Sequence, residues 1–137
     1  MIAVVDASVA VKWVVPEPLS DRADRLLDGA HDLIAPDLLP IEAASALWKK
    51  VIRDELTLAQ AREALLLLLD SGVGWHSSAP LLPVALDLAA ALRHPVYDCL
   101  YAALAQRERA VLVTADASLR SALRRRRKIE VVPLDSL

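Results

Sequence analysis

Short runs of β-branched and other apolar residues alternate along this sequence with longer segments of helical pattern. Strands are predicted at residues 2–6, 33–35, 73–77, 110–114 and 130–133. Helices are predicted at residues 8–15, 20–27, 37–53, 58–70, 80–92, 97–109 and 117–126. Strands that alternate with helices of about ten or more residues form a parallel sheet with helices on both faces. We therefore predict an α/β fold of three layers, α/β/α, around a central parallel sheet of about four to five strands.

Size and composition are those of one folded unit. The chain has 137 residues, of which 55% are hydrophobic and 25% are charged, so one hydrophobic core suffices and a single domain over residues 1–137 is expected. No apolar run approaches the length of about 20 residues that a membrane span requires. The N-terminus lacks the pattern of a secretory signal, and a cytoplasmic location is expected. With Cys99 alone, neither an intramolecular disulfide nor a thiolate metal site can form.

Charge is distributed unevenly although the net charge is only −2. Residues 17–37 hold six acids and two bases, whereas residues 93–128 hold nine bases and three acids. A basic end of this kind suits a polyanionic partner. The run Arg124–Lys128 is consistent both with contacts to a nucleic-acid backbone and with a solvated helix end.

Four acidic residues lie in apolar stretches, where a lone ionised side chain is costly to bury. Asp6 and Asp116 follow predicted strands, Asp98 lies in the first turn of a predicted helix, and Glu42 lies one turn inside another. In parallel α/β sheets, ligands bind beyond the carboxyl ends of the strands. Clustered carboxylates repel one another unless a cation neutralises them. The four acids therefore predict a site for a hard divalent cation such as Mg²⁺ or Mn²⁺.

A helix cap is the alternative interpretation of these acids. Asp116 is as well suited to cap the helix that follows it as to bind a ligand, and Ser8 and Asp37 are predicted to cap the helices after the first two strands. If the acids are all caps, the chain is a non-catalytic binding module. A phosphatase of the haloacid-dehalogenase type is disfavoured, because its D-x-D pattern would replace the Asp6, Ala7, Ser8 found here.

The segments around the four acids resemble a known family in their order and spacing. They are VVDASVAVKWVVPE, LIAPDLLPIEAASALWK, HPVYDCLYAALA and LVTADASL. Together they are similar to the PIN-domain ribonucleases, and within these to the VapC toxins of bacterial toxin–antitoxin pairs. The resemblance covers essentially the whole chain.

The resemblance implies a PIN-like fold and a Mg²⁺-dependent (or Mn²⁺-dependent) endoribonuclease that acts as a toxin. Its catalytic and metal-binding residues would be the four acids, and the hydroxyls of Ser8 and Thr114 would support them. RNA would be the substrate, and a cognate antitoxin protein the partner. Such chemistry needs no histidine, so His94 is interpreted as a helix-end residue.

Surface contacts are predicted from the charged and apolar helices. Lys12 and Lys49 are candidates for binding the RNA backbone, because each lies on a helix that carries or follows a site acid. The helices at 58–70 and 80–92 are more apolar than one small sheet can cover, which predicts a homodimer face or a groove for an antitoxin segment.

Buried roles are predicted for the aromatic residues and the cysteine. The chain has no phenylalanine, so its three tryptophans, Trp13, Trp48 and Trp75, are expected to anchor the core rather than to stack on bases. Cys99 is expected to be a small buried apolar residue.

Overall fold

The computed structural model describes residues 1–126 and 128–137. Within them, the strands are β1 Ile2–Val5, β2 Asp32–Pro36, β3 Gly74–His76, β4 Val111–Thr114 and β5 Val131–Pro133. The α-helices are α1 Ala7–Val14, α2 Ser20–Asp24, α3 Leu38–Ile52, α4 Leu58–Leu69, α5 Leu82–Leu92, α6 Val96–Glu108 and α7 Ala117–Leu123. Short 3-10 turns follow α2, precede α5 and end the chain.

In the described part of the chain, five strands form one sheet in the order β3-β2-β1-β4-β5, and every neighbouring pair is parallel. The chain moves from β1 outward to β3 and then crosses back to β4. Because parallel crossovers are right-handed, α1–α4 and the pair α5–α6 lie on opposite faces of the sheet. The packing agrees, since α1 contacts α3 and α4, whereas α6 contacts α5 and the sheet. The predicted three-layer α/β/α fold is confirmed.

The core is formed by the central strands and the helix that covers them. Val4, Val5 and Leu112 are fully buried in β1 and β4, as apolar strands covered on both faces must be. In α6, every residue from 99 to 105 is buried. Cys99 is among them, as predicted. This packing holds α6 against the sheet and sets the position of the acid in its first turn.

Of the two predicted helix caps, one is wrong and the other is confirmed in position only. The N-cap of α1 is Asp6, whose side chain accepts a hydrogen bond from the Val9 N–H, whereas Ser8 lies inside the helix. Asp37 does hold the N-cap position of α3, but its side chain makes no hydrogen bond to that helix. It accepts instead from the backbone N–H and the hydroxyl of Ser78, at 3.1 and 2.5 Å. A nearby donor on another segment competes successfully with the helix N–H groups.

The prediction that all three tryptophans anchor the core is wrong for Trp48. Trp13 and Trp75 pack against the core, but the side chain of Trp48 on α3 is 59% exposed. Exposed leucines on α4 and α5, including Leu66 and Leu86, agree with the expectation of apolar surface there. No helix in the described residues is long and apolar enough to cross a lipid bilayer.

The described residues of the C-terminal basic run all lie beyond the last α-helix. The last α-helix ends at Leu123 rather than at Arg126. Of the run Arg124–Lys128, position 127 lies outside the described residues.

Candidate active site

Asp6 occupies the carboxyl end of the central strand and is almost fully buried. Because Val5 pairs with Val113, the residues that follow β1 and β4 meet at one edge of the sheet. The Asp6 side chain, 5% exposed, accepts hydrogen bonds from the Ser8 hydroxyl at 2.5 Å and the Val9 N–H at 3.2 Å. The hydroxyl of Thr114 donates to its other oxygen. Donors thus surround a carboxylate that has little contact with water.

Burial raises the pKa of Asp6 to about 6. Removing a carboxylate from water disfavours its ionised form, and the hydrogen bonds from Ser8, Thr114 and Val9 offset only part of this effect. The negative charge of Asp116 raises the pKa further. Asp6 and Asp116 therefore interact electrostatically, and nearby positive charge would favour the ionised form of Asp6.

Asp116 is joined to Asp6 through Thr114. The Asp116 N–H donates to the Thr114 hydroxyl oxygen at 2.9 Å, and that hydroxyl donates in turn to Asp6. One Asp116 carboxylate oxygen accepts from the backbone N–H groups of Ser118 and Leu119, at 2.8 and 3.4 Å. Asp116 is thus the N-cap of α7 and at the same time a neighbour of Asp6.

Glu42 and Tyr101 form the second part of the site. The buried Tyr101 hydroxyl, on α6, donates a hydrogen bond of 2.5 Å to Glu42 on α3. Burial raises the pKa of Glu42, and the negative charge of Asp98 raises it further. The pKa of Tyr101 is also raised, chiefly by burial and then by Glu42, Asp6 and Asp98. Three of the four acids therefore act on this one hydroxyl.

Asp98 lies in the first turn of α6, as predicted, and is partly buried. One of its oxygens lies 2.7 Å from His94 Nε2. His94 precedes the helix, and the pair is spaced by four residues. When protonated, the imidazole would form an ion pair with this carboxylate.

The structure thus brings the predicted acids together as two pairs. Asp6 interacts with Asp116, Glu42 interacts with Asp98, and Tyr101 lies under the influence of members of both pairs. Of the supporting residues, Ser8 and Thr114 both bind Asp6 directly.

The donor chemistry suits a hard divalent cation, because every candidate ligand is a carboxylate oxygen. Among residues 1–126 and 128–137, however, no three His, Cys, Asp or Glu side chains are close enough to hold an ion as they stand. Each acid instead holds a protein donor. In the same residues, no hydrogen bond reaches the second carboxylate oxygen of Glu42, Asp98 or Asp116. These second oxygens are the ones that could turn toward an ion.

Sequence reasoning missed Tyr101 and gave His94 only a helix-end role. Tyr101 follows Asp98 by three residues, a spacing that places both on one face of a helix. That spacing is the only signal in the sequence, and it does not reveal contact with Glu42, 59 residues away.

The two lysines predicted to bind RNA differ in their surroundings. Lys12 is partly buried and lies 3.8 Å from Glu17. Lys49 is exposed on α3, beside a hollow that Glu42 also lines. Lys49 is therefore the more available of the two to a polyanion.

A parallel five-stranded α/β sheet with acids at its carboxyl edge is the architecture of a PIN domain. The chain belongs to the PIN-domain family, because the family model described as PIN domain matches residues 3–135. It is 38% identical over 120 residues to Ribonuclease VapC3 of Pyrobaculum aerophilum, a match that covers 85% of this chain and 90% of that protein. The prediction of the PIN-domain family and its VapC branch is confirmed.

Solved structures agree with the fold. The crystal structure of PAE2754 from Pyrobaculum aerophilum is 25% identical, with a TM-score of 0.74, and the match covers 99% of this chain and 94% of that chain. VapBC2 from Rickettsia felis, bound to a DNA fragment from its promoter, is 16% identical with a TM-score of 0.69. The match covers 97% of this chain and 98% of that chain. VapC20 of Mycobacterium tuberculosis, described as a toxin that cleaves the sarcin-ricin loop, is 16% identical with a TM-score of 0.68. The match covers 88% of this chain and 94% of that chain.

Proposed function

We propose that this chain is a divalent-metal-dependent endoribonuclease, the toxin of a toxin–antitoxin pair, formed by a single domain over residues 1–137. One observation carries the proposal: a chain 38% identical to Ribonuclease VapC3 gathers its four isolated acids at one edge of a PIN-domain sheet. The ion is Mg²⁺ or Mn²⁺, since hard cations of this kind select carboxylate oxygens.

Asp6, Glu42, Asp98 and Asp116 would hold the ion. When bound, a divalent cation supplies positive charge to the phosphate oxygens and lowers the pKa of a bound water. The residues around the acids orient them. The hydroxyls of Ser8 and Thr114 direct both oxygens of Asp6.

On the other side of the site, one donor fixes each acid. The Tyr101 hydroxyl holds one oxygen of Glu42, and His94 holds one oxygen of Asp98. Each hydrogen bond leaves the second oxygen of its carboxylate available. Donors of this kind fix ligand orientation in metal sites generally.

The negative charge of the acids also determines when RNA can enter. Carboxylates that raise the pKa of a neighbouring acid also repel a phosphodiester. The same negative charge attracts divalent cations, so a bound cation would lower the electrostatic barrier to RNA binding. A cytoplasmic location, where cellular RNA is reachable, is part of this proposal.

A cognate antitoxin and a second copy of the chain are the proposed protein partners. The solved relatives from Rickettsia felis, Klebsiella pneumoniae and Salmonella typhimurium are described as toxin–antitoxin or VapBC assemblies. On this chain, the exposed leucines of α4 and α5 are the proposed homodimer face or antitoxin groove.

The decisive experiment is incubation of the purified protein with total cellular RNA and Mg²⁺ or Mn²⁺, with and without EDTA. We expect cleavage that EDTA stops and that Asp6→Asn abolishes. Asp87→Asn is the matched control, because Asp87 is exposed on α5 and is not one of the four acids. Cleavage that persisted in EDTA, or equally in both variants, would contradict the proposal.

A non-catalytic binding module is the second candidate, because Asp6 and Asp116 are both N-caps with hydrogen bonds to their helices. Calorimetric titration with Mn²⁺ separates the two. A metal site binds Mn²⁺ and loses that binding in Asp98→Asn, while residues that act only as caps show no binding in either protein.

A further inference from the structure

A hollow of about 360 Å³ opens beside Glu42, between the connection that follows α1 and the length of α3. Its polar lining comes from six residues: Glu17, Glu42, Ser45, Lys49, Lys50 and Arg53. Three of these are cations, although the neighbouring site is acidic. Glu42 thus belongs both to the acidic site and to this basic hollow. A polyanion bound at the acids could extend from them into the hollow.

Helix geometry aligns two of the cations with the candidate active site. Glu42, Lys49 and Arg53 are spaced by seven and four residues, so they lie along one face of α3. At the helical rise per residue, Lys49 lies about 10 Å and Arg53 about 16 Å along the axis from Glu42. At these separations along the helix, the two cations are placed to contact phosphates that neighbour the one held at the acids, on the same strand.

The cations of the hollow differ in their partners. Lys50 is held by Glu17 at 3.1 Å and by Glu55 at 3.6 Å. Lys49 and Arg53 are exposed, and no acid within residues 1–126 and 128–137 forms an ion pair with either. Lys50 thus completes an ion-pair network, whereas Lys49 and Arg53 remain available to a ligand. The exposed hydroxyl of Ser45 supplies a further donor at the same wall.

We propose that this hollow binds phosphate groups of the RNA strand on one side of the cleaved bond, through Lys49 and Arg53. The proposal rests on the proposed ribonuclease function and adds to it the direction in which the substrate leaves the acids, along α3 toward its C-terminus. An acidic protein segment would also suit Lys49 and Arg53. The strand is favoured because the hollow adjoins Glu42, so that phosphates beyond the cleaved bond can continue from the acids directly into it.

The test uses Lys49→Gln combined with Arg53→Gln. The control combines Arg25→Gln with Arg62→Gln, which removes two exposed cations outside the hollow. Binding of a labelled single-stranded oligoribonucleotide is followed by fluorescence anisotropy over a range of salt concentrations. Two lost phosphate contacts should make the slope of log affinity against log salt shallower by about 1.4. The control should keep the slope of the unmodified protein.

Cleavage kinetics give the second measurement. We expect KM to rise in the Lys49/Arg53 variant with kcat unchanged, because the proposed contacts are to neighbouring phosphates and not to the reacting one. Equal salt slopes and KM values for variant and control would overturn the subsite while leaving the ribonuclease intact. A variant with unchanged RNA binding but weakened antitoxin binding would overturn it in favour of an acidic protein segment. If the unmodified protein neither binds nor cleaves RNA, the proposed function itself fails.

Discussion

The two halves of the acidic site are built in different ways. Asp6 and Asp116 follow neighbouring strands, and both cap the helices that come next. Their link is Thr114, the last residue of β4. Glu42 and Asp98 instead lie on separate helices, α3 and α6. Their common neighbour is Tyr101, which follows Asp98 by one turn of α6. The first half is assembled by a sheet edge, the second by the packing of two helices.

The difference teaches that the two halves respond to different disturbances. In the Asp6 half, Asp6 is buried and both of its carboxylate oxygens accept hydrogen bonds, so changes at Asp6 affect both folding and chemistry. The Glu42 half is partly exposed and depends on one donor for each acid. Changes in that half should therefore affect chemistry more than folding.

The largest expected effect is common to both halves. Asp6→Asn and Glu42→Gln should each lower RNA cleavage by more than about 100-fold, because loss of a ligand costs more than loss of a residue that orients one. Initial rates in saturating Mn²⁺ provide the measurement. Full activity in Glu42→Gln alone would show that the site consists of the Asp6 half.

The next effect concerns stability in the absence of metal. Asp6 has a pKa of about 6 in the folded protein against an ordinary value of 3.8. The folded state therefore holds this proton more tightly than the unfolded state, and stability falls as the pH rises from about 4 to about 6. Above pH 6 the loss stays constant, at up to about 3 kcal/mol.

Asp6→Asn removes this loss, because asparagine does not ionise. The difference in free energy of unfolding between the variant and the unmodified protein should therefore shift in favour of the variant as the pH rises from about 4 to about 6. The measurement is urea unfolding in EDTA from pH 4 to pH 8. Glu42→Gln should show a gain of the same sign but smaller. A gain in Asp6→Asn that did not depend on pH would contradict the burial argument.

A smaller effect on stability compares two residues that donate hydrogen bonds to the acids, one in each half. Thr114→Val removes a donor from the buried Asp6 and should lower the free energy of unfolding by about 1–3 kcal/mol. Tyr101→Phe leaves Glu42 access to water and should cost about 1 kcal/mol or less. Chemical unfolding at pH 7 compares the two. A larger cost for Tyr101→Phe would reverse the comparison between the halves.

The smallest effect tests the double role of Asp116. Asparagine caps helices about as well as aspartate, so Asp116→Asn should change the free energy of unfolding by only about 0.5 kcal/mol or less. Cleavage should nevertheless fall strongly, because the charge is lost. If both stability and cleavage were unchanged, Asp116 would act only as a cap.

Much of the fold was predictable from local pattern. The predicted strands and helices match the observed elements to within a few residues. Short apolar runs such as AVV in β1 and VLVT in β4 are buried throughout, and they are too short to be helices. The caps were less predictable. Ser8 was assigned the role that Asp6 performs, because serine and aspartate are both common N-caps and the helix begins at Ala7, before Ser8.

Exposure was the weakest part of the prediction. Trp48 was expected in the core, yet α3 presents it to solvent. Its helix buries the face of Leu39, Ala43 and Leu47 instead. A tryptophan's size does not say which side of a helix will meet the sheet.

The sequence by itself determined the order of strands and helices along the chain, the parallel sheet and the choice of the four acids as candidates. It did so because hydrophobic period and costly apolar surroundings are local properties. Only the tertiary structure decided that Tyr101 binds Glu42, that Lys12 and Lys50 share Glu17, and that Lys49 forms no ion pair with the acids of the described residues. Such contacts join residues brought together when two layers pack, and a chain's linear pattern carries no record of which side chains then meet.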